Sequence, residues 1–482
     1  MTKATQAPEP ARPAPTPAGA GGPRQALVTG IGVAAPNGLG TRAWWDAVLC
    51  GRTGLGPITR FDASGYPVRI AGEIPGFVDE DHIPSRLLPS TDRGTRIALV
   101  AAEEALRDAN VSPADLPAYG AGVITASSAG GAEFGERGLA ALWSKGAQHV
   151  SAYQSFASFH AAAPAQISIR HRLRGHGSTV VSEQAGGIDA LARARRRIRD
   201  GACLMVTGGI DSTLCAWGWA AHLADGRLSP ATEPARAYRP FAATADGHAV
   251  GEGGALLVLE DARAAARRGA TGYGVIAGCA ATFDGPDRPT LRQAAELALA
   301  DAGLAPEHVD VVFADGAAER RADLVESQAL CALFGPYGVP VTVPKTMTGR
   351  LGAGGSALDV AAALLALREK VVPPTTGTGR VADDCPLDLV TGAPRELPRL
   401  RAHGRPGTAR GPAGRAKGTT PGADSPALPG SRAPGLLALL APRPARSPGC
   451  PAFRLLAFRP SVSPGCPAFR RPARGTRGGV PA

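Results

Sequence analysis

The 482-residue sequence predicts an α/β protein made of two similar halves. Three observations lead there. Short β-branched runs alternate with helical patterns of roughly 10–17 residues between residues 25 and 400. The runs are continuously apolar, as strands covered on both faces are, so the sheets should be largely parallel. The strand–helix pattern then restarts near residue 270, which suggests a duplicated half.

Ala26–Val33 reads as a buried strand. Pro36-Asn37-Gly38 is a turn, and Thr41 should cap the helix behind it. Arg93–Ala109 is Ala/Leu-rich and amphipathic, hence a core helix. Strands follow at Gly122–Ser127 and Ser178–Ser182, the second running into an Ala-rich helix that ends near Arg197. Cys203–Thr207 and Gly254–Leu259 complete the first set. The second set is strand Gly272–Ala280, helix Leu291–Ala302, strand Val309–Phe313, helix Ala322–Phe334, strand Val341–Val343 and helix Ser356–Leu367.

The net charge of +11 suggests nucleic acid until the chain is divided. Residues 401–482 hold 14 Lys+Arg against one Asp, whereas the first 400 residues hold 38 bases and 40 acids. The basicity belongs to a tail, so neither nucleic acid nor a membrane is expected as a partner. With 15 Pro and 13 Gly, a tandem Ser-Pro-Gly-Cys-Pro-Ala-Phe-Arg at 447–454 and 463–470, and no apolar periodicity, the tail should be disordered. Its longest apolar run, Leu436–Ala441, is too short to span a bilayer. Residues 1–24 form a second Pro/Ala-rich arm without the apolar segment of a secretory signal. The eight cysteines show no metal-ligand spacing and the nine histidines form no metal-like set, so no metal is assigned and reduced thiols in a cytoplasm are expected.

Several ordered motifs then become recognisable. Val28-Thr-Gly-Ile-Gly-Val33, Ile58–Asp62 with Val68–Gly72, Tyr238-Arg-Pro-Phe241 before Gly251–Ala255, and Val343–Gly349 resemble those of β-ketoacyl synthases. These are the condensing enzymes of fatty-acid and polyketide assembly. The resemblance covers about residues 25–395. It implies a thiolase-like fold: two βαβαβαββ halves in a five-layered sandwich, with the N-terminal half at 25–265 and the C-terminal half at 266–400. It also implies a dimer.

In that family a Cys at a helix start attacks the acyl thioester, and two His donate to the enolate oxygen during decarboxylation. The chemistry needs both, because a thiolate is stabilised at a helix N-terminus and neutral donors must meet the developing oxyanion. Here the nucleophile position in Ser182-Glu-Gln-Ala-Gly-Gly187 is Gln184, the first His position in Ala314-Asp-Gly316 is Asp315, and the second is Arg350. Lys345, the family's lysine, is kept. A carboxamide cannot form an acyl thioester, and an anionic Asp315 repels an enolate, so the chain should not condense by itself.

This combination resembles the ketosynthase-beta subunit, or chain length factor, of type II aromatic polyketide synthases. The resemblance implies a heterodimer with a catalytic ketosynthase-alpha subunit, a nearby acyl carrier protein, substrates carried on its phosphopantetheine, and a growing poly-β-keto chain held in a tunnel. No cofactor is implied on the chain itself. Residues matching Ala132, Gly135 and Leu139 line that tunnel. Their i, i+3, i+7 spacing puts them on one helix face, and their small size implies a long product of about ten ketide units or more; the other reading is a close approach of two helices. Gln184 is open between a packed remnant, a partner contact and a malonyl-carrier-protein decarboxylase that supplies the acetyl starter. Asp315 and Arg350 should face each other as an ion pair. Glu183 is a helix-capping charge or an interface contact. The aromatic stretch His149–His160 meets the partner or forms a core helix.

The resemblance stops after Pro394-Arg-Glu396. The family's last strands are missing from the text beyond it. A frameshift near residues 394–402 in a GC-rich gene would write such an Arg/Pro/Gly/Ala tail. The second half's sheet should then be left with an unpaired edge.

Overall fold

The apolar runs become the strands of a single mixed sheet. The computed structural model describes residues 24–284 and 289–397, together with the strands Gly435–Ala441 and Leu455–Ala457. The first half contributes β1 (Ala26–Ala35), β2 (Ala121–Ala126), β3 (Gly177–Val180), β4 (Leu204–Asp211) and β5 (Gly253–Asp261). The second contributes β6 (Gly274–Thr282), β7 (Val311–Phe313), β8 (Pro340–Thr342), β9 (Asp388–Leu389), β10 (Gly435–Ala441) and β11 (Leu455–Ala457). Their order across the sheet is β9-β8-β7-β11-β10-β6-β1-β5-β4-β2-β3. The halves join where β1 pairs antiparallel with β6, Leu27 opposite Val275.

The helices that matter for the site are α1 (Arg93–Asp108), α2 (Ala132–Lys145), α3 (Gly186–Arg199), α4 (Ala216–Asp225), α5 (Leu291–Ala302), α6 (Arg320–Phe334) and α7 (Ala353–Glu369). Helix α7 has no polar face, and its residues 353–367 are all buried, as a helix apolar all round requires. It lies beside α3 in the middle layer, where one hydrophobic cluster joins both helices to β1, β5, β6 and β7. The axes approach closely because α3 begins with glycines. A Cβ on Gly187 would lie 2.6 Å from the Ala357 nitrogen. Helix α1 covers the outer face of the first half-sheet, and α5 and α6 cover that of the second. The result is the expected five-layered α/β sandwich.

The sheet is mixed and not largely parallel as expected, since all five pairings along β4-β5-β1-β6-β10-β11 are antiparallel, and two more expectations need correcting. Thr41 does not cap its helix. Gly40 holds the cap position at φ 92°, and Thr41 is the first helical residue. Its amide bonds Glu104 and its hydroxyl bonds the Ile31 carbonyl, so tertiary partners decide its role.

The last correction concerns the tail. The last two strand positions of the second half are filled, by β10 and β11. In the first half the position beside β1 is taken by β5 and the next by β4. In the second half the position beside β6 is taken by β10 and the next by β11, with the same strand directions but the opposite chain order. The reason is physical. The half-sheet offers open edges on β6 and β7, and Leu436–Ala441 is the tail's longest apolar run, so it pairs where a strand is lacking. The rest of the tail and the arm before Arg24 lie outside the described residues. Among the described residues no helix is long and apolar enough to cross a membrane.

Candidate functional site: a cavity beside a refilled pocket

Strand β3 leads into a one-turn 3-10 helix, Glu183–Ala185, which opens onto α3. Glu183 takes φ 46°, the left-handed region that costs a non-glycine residue. This turn presents Gln184, half-buried, near the first turn of α7. A Cβ on Gly355 would lie 3.6 Å from the Gln184 Oε1. Glu183 is the exposed acid in the first turn of this 3-10 helix.

Gln184 lines a cavity of about 610 Å³, and Ala132, Gly135 and Leu139 of α2 line it too. The structure thus brings the three tunnel candidates and the nucleophile position into one space. Trp217 at the start of α4 closes the side facing α2, its amide donating to Glu136 at 3.1 Å. A Cβ on Gly135 would lie 3.1 Å from the Trp217 ring. Sequence spacing cannot show that Trp217, about 80 positions from Glu136, meets α2.

Two buried carboxylates hold the cavity in shape, and neither was legible as such. Asp211 accepts from the Ser127 hydroxyl at 2.8 Å, the Ser128 amide at 2.9 Å and the Ala353 amide at 2.7 Å, tying the loop before α2 to the start of α7. Burial raises its pKa, opposed by those amide donors. Asp92 caps α1 through the Gly94 amide at 3.0 Å and accepts from the Phe134 amide at 2.9 Å, which fixes the first turn of α2. Burial lifts it to about 6.

Large apolar side chains are exposed on α2, on the segment after it and at the start of α4. Leu139, Trp143, Tyr153, Phe156, Phe159 and Trp217 are all exposed. The stretch His149–His160 is therefore not a core helix; it holds only a short turn at Gln154–Ala157. Monomeric proteins seldom expose so many large apolar side chains together.

Asp315, Lys345 and Arg350 do not line the cavity. They form a separate buried cluster. The Arg350 guanidinium donates to both Asp315 oxygens at 2.9 Å and to the Tyr238 hydroxyl at 3.2 Å. Burial works against the charge on Arg350, but Asp315 and then Tyr238 outweigh it and raise its pKa. Lys345 donates to the Ala314 carbonyl at 2.7 Å and pairs with Asp359 at 2.7 Å. The ion pair expected from the sequence is present, and it leaves Arg350 turned toward a carboxylate. A guanidinium so engaged is a poor donor to an enolate.

Two further acids sit under that pair. Glu326 accepts from the Asp315 and Gly316 amides, and Asp323 from the Phe241 and Ala318 amides. Burial, then the Asp315 charge, lifts Glu326 to about 8, and burial lifts Asp323 to about 7. The folded chain therefore keeps protons that the unfolded chain has lost, so these acids make stability fall as pH rises until Glu326 ionises. His248 acts oppositely. Burial, then Arg350, holds it well below the ordinary value, so its contribution is lost as pH falls below about 6.5. Urea denaturation should show a lower midpoint at about pH 8.5 than at pH 7. A midpoint that rises over that interval contradicts the placement of Glu326.

Comparison with known proteins gives one answer. The β-ketoacyl synthase N-terminal domain family matches residues 24–265, and the C-terminal domain family matches 273–378. The actinorhodin polyketide putative beta-ketoacyl synthase 2 of Streptomyces coelicolor is 55% identical over 374 residues, covering 77% of this chain and 92% of that protein. The tetracenomycin polyketide synthase ketoacyl synthase beta subunit of Streptomyces glaucescens is 54% identical over 381 residues, covering 78% and 93%. The solved ishigamide ketosynthase/chain length factor superposes with TM-score 0.72 at 28% identity, covering 78% of this chain and 94% of that one. The chain belongs to the β-ketoacyl synthase family, in the group of its polyketide ketoacyl synthase beta subunits.

Proposed function

We propose that the chain is a chain length factor: a non-condensing subunit that pairs with a ketosynthase-alpha subunit and supplies part of the wall around the growing polyketide. The observation that carries this is the pairing of a large cavity with a disarmed pocket. The space beside Gln184 is open and bounded by the small residues Ala132 and Gly135, while the two former donor positions are locked together as Asp315–Arg350. The name of the Streptomyces glaucescens relative, a polyketide synthase ketoacyl synthase beta subunit, supports the same role. The exposed apolar side chains from Leu139 to Phe159, with Trp217, suit a permanent partner surface. Substrates would reach the complex on the phosphopantetheine of an acyl carrier protein. The work is that of the cytoplasm, and a product of about ten ketide units or more fits side chains this small at the wall.

A decarboxylase acting through Gln184 is less well supported. Gln184 reaches the cavity, but Arg350 is committed to Asp315 and Lys345 to Asp359. In a complex reconstituted with ketosynthase-alpha and carrier protein, Gln184→Ala should leave starter formation intact, while changes at Ala132 alter product length. A collapse of starter yield with the partner's Cys intact would restore the enzyme reading.

A further inference from the structure

A second cavity, of about 340 Å³, lies against the opposite flank of α2, lined by Phe134, Arg137, Gly138 and Ala141 with His149 and Gln154. Gln154 also lines the 610 Å³ cavity, so its side chain is a wall common to both. It stands against Gly138, where a Cβ would lie 2.0 Å from its Oε1. Helix α2 has a glycine there because the carboxamide occupies that place. The Oε1 is buried and has no hydrogen-bond partner. A buried amide oxygen left without a donor is destabilising, so its position invites a reason.

We infer that Gln154 is the partition between the polyketide channel and this second cavity, and that it sets where the growing chain must stop. The inference rests on the channel reading of the larger cavity and deepens it. The chemistry of the second cavity fits the same occupant. A poly-β-keto chain carries a carbonyl oxygen on every second carbon. Arg137 and His149 offer donors to such oxygens, and the Gln154 carboxamide, at the boundary, offers both donor and acceptor. Gln154 sits on the short turn Gln154–Ala157 between half-exposed aromatics, not within a long helix, so removing its bulk leaves the layers of the sandwich untouched.

The test uses the intact complex with ketosynthase-alpha, carrier protein and malonyl-loaded carrier, read by the mass of the polyketide. Gln154→Ala is expected to lengthen the main product by at least one two-carbon unit. Gln154→Leu, similar in size but apolar, keeps the native length, and Ala141→Phe added to Gln154→Ala restores it by filling the second cavity. If the alanine variant does not assemble, Gln154→Ser provides the same reading. Native-length product from an assembled Gln154→Ala or Gln154→Ser complex overturns the inference, as does lengthening by Gln154→Leu. An Ala132→Phe complex run alongside separates the two levels. If it shortens the product while Gln154→Ala changes nothing, only the partition is wrong; if neither moves the length, the channel reading falls with it.

Discussion

Arg350→Ala is expected to lower the stability of the chain by about 3–5 kcal/mol, because it leaves Asp315 buried without its counter-ion. Asp315 and Arg350 are each about 95% shielded from solvent, and the guanidinium covers both carboxylate oxygens. No lysine takes over, since Lys345 is held by Asp359 and the Ala314 carbonyl. The stranded Asp315 would neutralise by taking up a proton, next to a Glu326 already lifted to about 8, so the variant should recover stability as pH falls. Replacing both partners with apolar residues of similar volume, Asp315→Leu with Arg350→Met, should cost far less than the single change. The denaturation midpoint with unchanged slope is the measurement. Equal losses for single and double variants would mean that the pair is not the reason these residues stand where catalytic histidines stand in the family.

The second large effect is on product length. Ala132→Phe should shorten the polyketide by one or more two-carbon units while the complex keeps condensing. Ala132, Gly135 and Leu139 lie on one face of α2 and all reach the 610 Å³ cavity, so a ring at Ala132 projects into the space. The first turn of α2 cannot move aside easily, because Asp92 holds the Phe134 amide and Arg60 bonds Glu133 at 2.6 Å. Gly135 gives a weaker test, since any side chain there first meets Trp217. Mass spectrometry of the products reads the change, and native-length product from an assembled Ala132→Phe complex would remove α2 from the channel wall.

Most of the layered architecture could be read in advance because buried strands and helices leave long apolar signatures. Helix Leu291–Ala302 was legible to the residue. The Gln184, Asp315 and Arg350 positions were legible because each interrupts a motif whose chemistry demands another side chain. What escaped depends on contacts between distant segments. Asp211 and Asp92 look like ordinary strand and loop acids until burial and their amide partners are seen. Thr41 looks like a cap because local preference favours it, yet Glu104, 63 positions away, takes its amide. Leu436–Ala441, read as too short to span a bilayer within a disordered tail, pairs with β6, a placement that no local pattern encodes.

The central claim is that this chain shapes a polyketide without making its bonds. The most direct measurement is incubation of the purified chain, without its partner, with acyl-carrier and malonyl-carrier thioesters, followed by intact-mass and product analysis. The account predicts an unmodified chain and no new carbon–carbon bond, with condensation appearing only when ketosynthase-alpha is added. A covalently acylated chain, or a β-keto product formed by the chain alone, would contradict it.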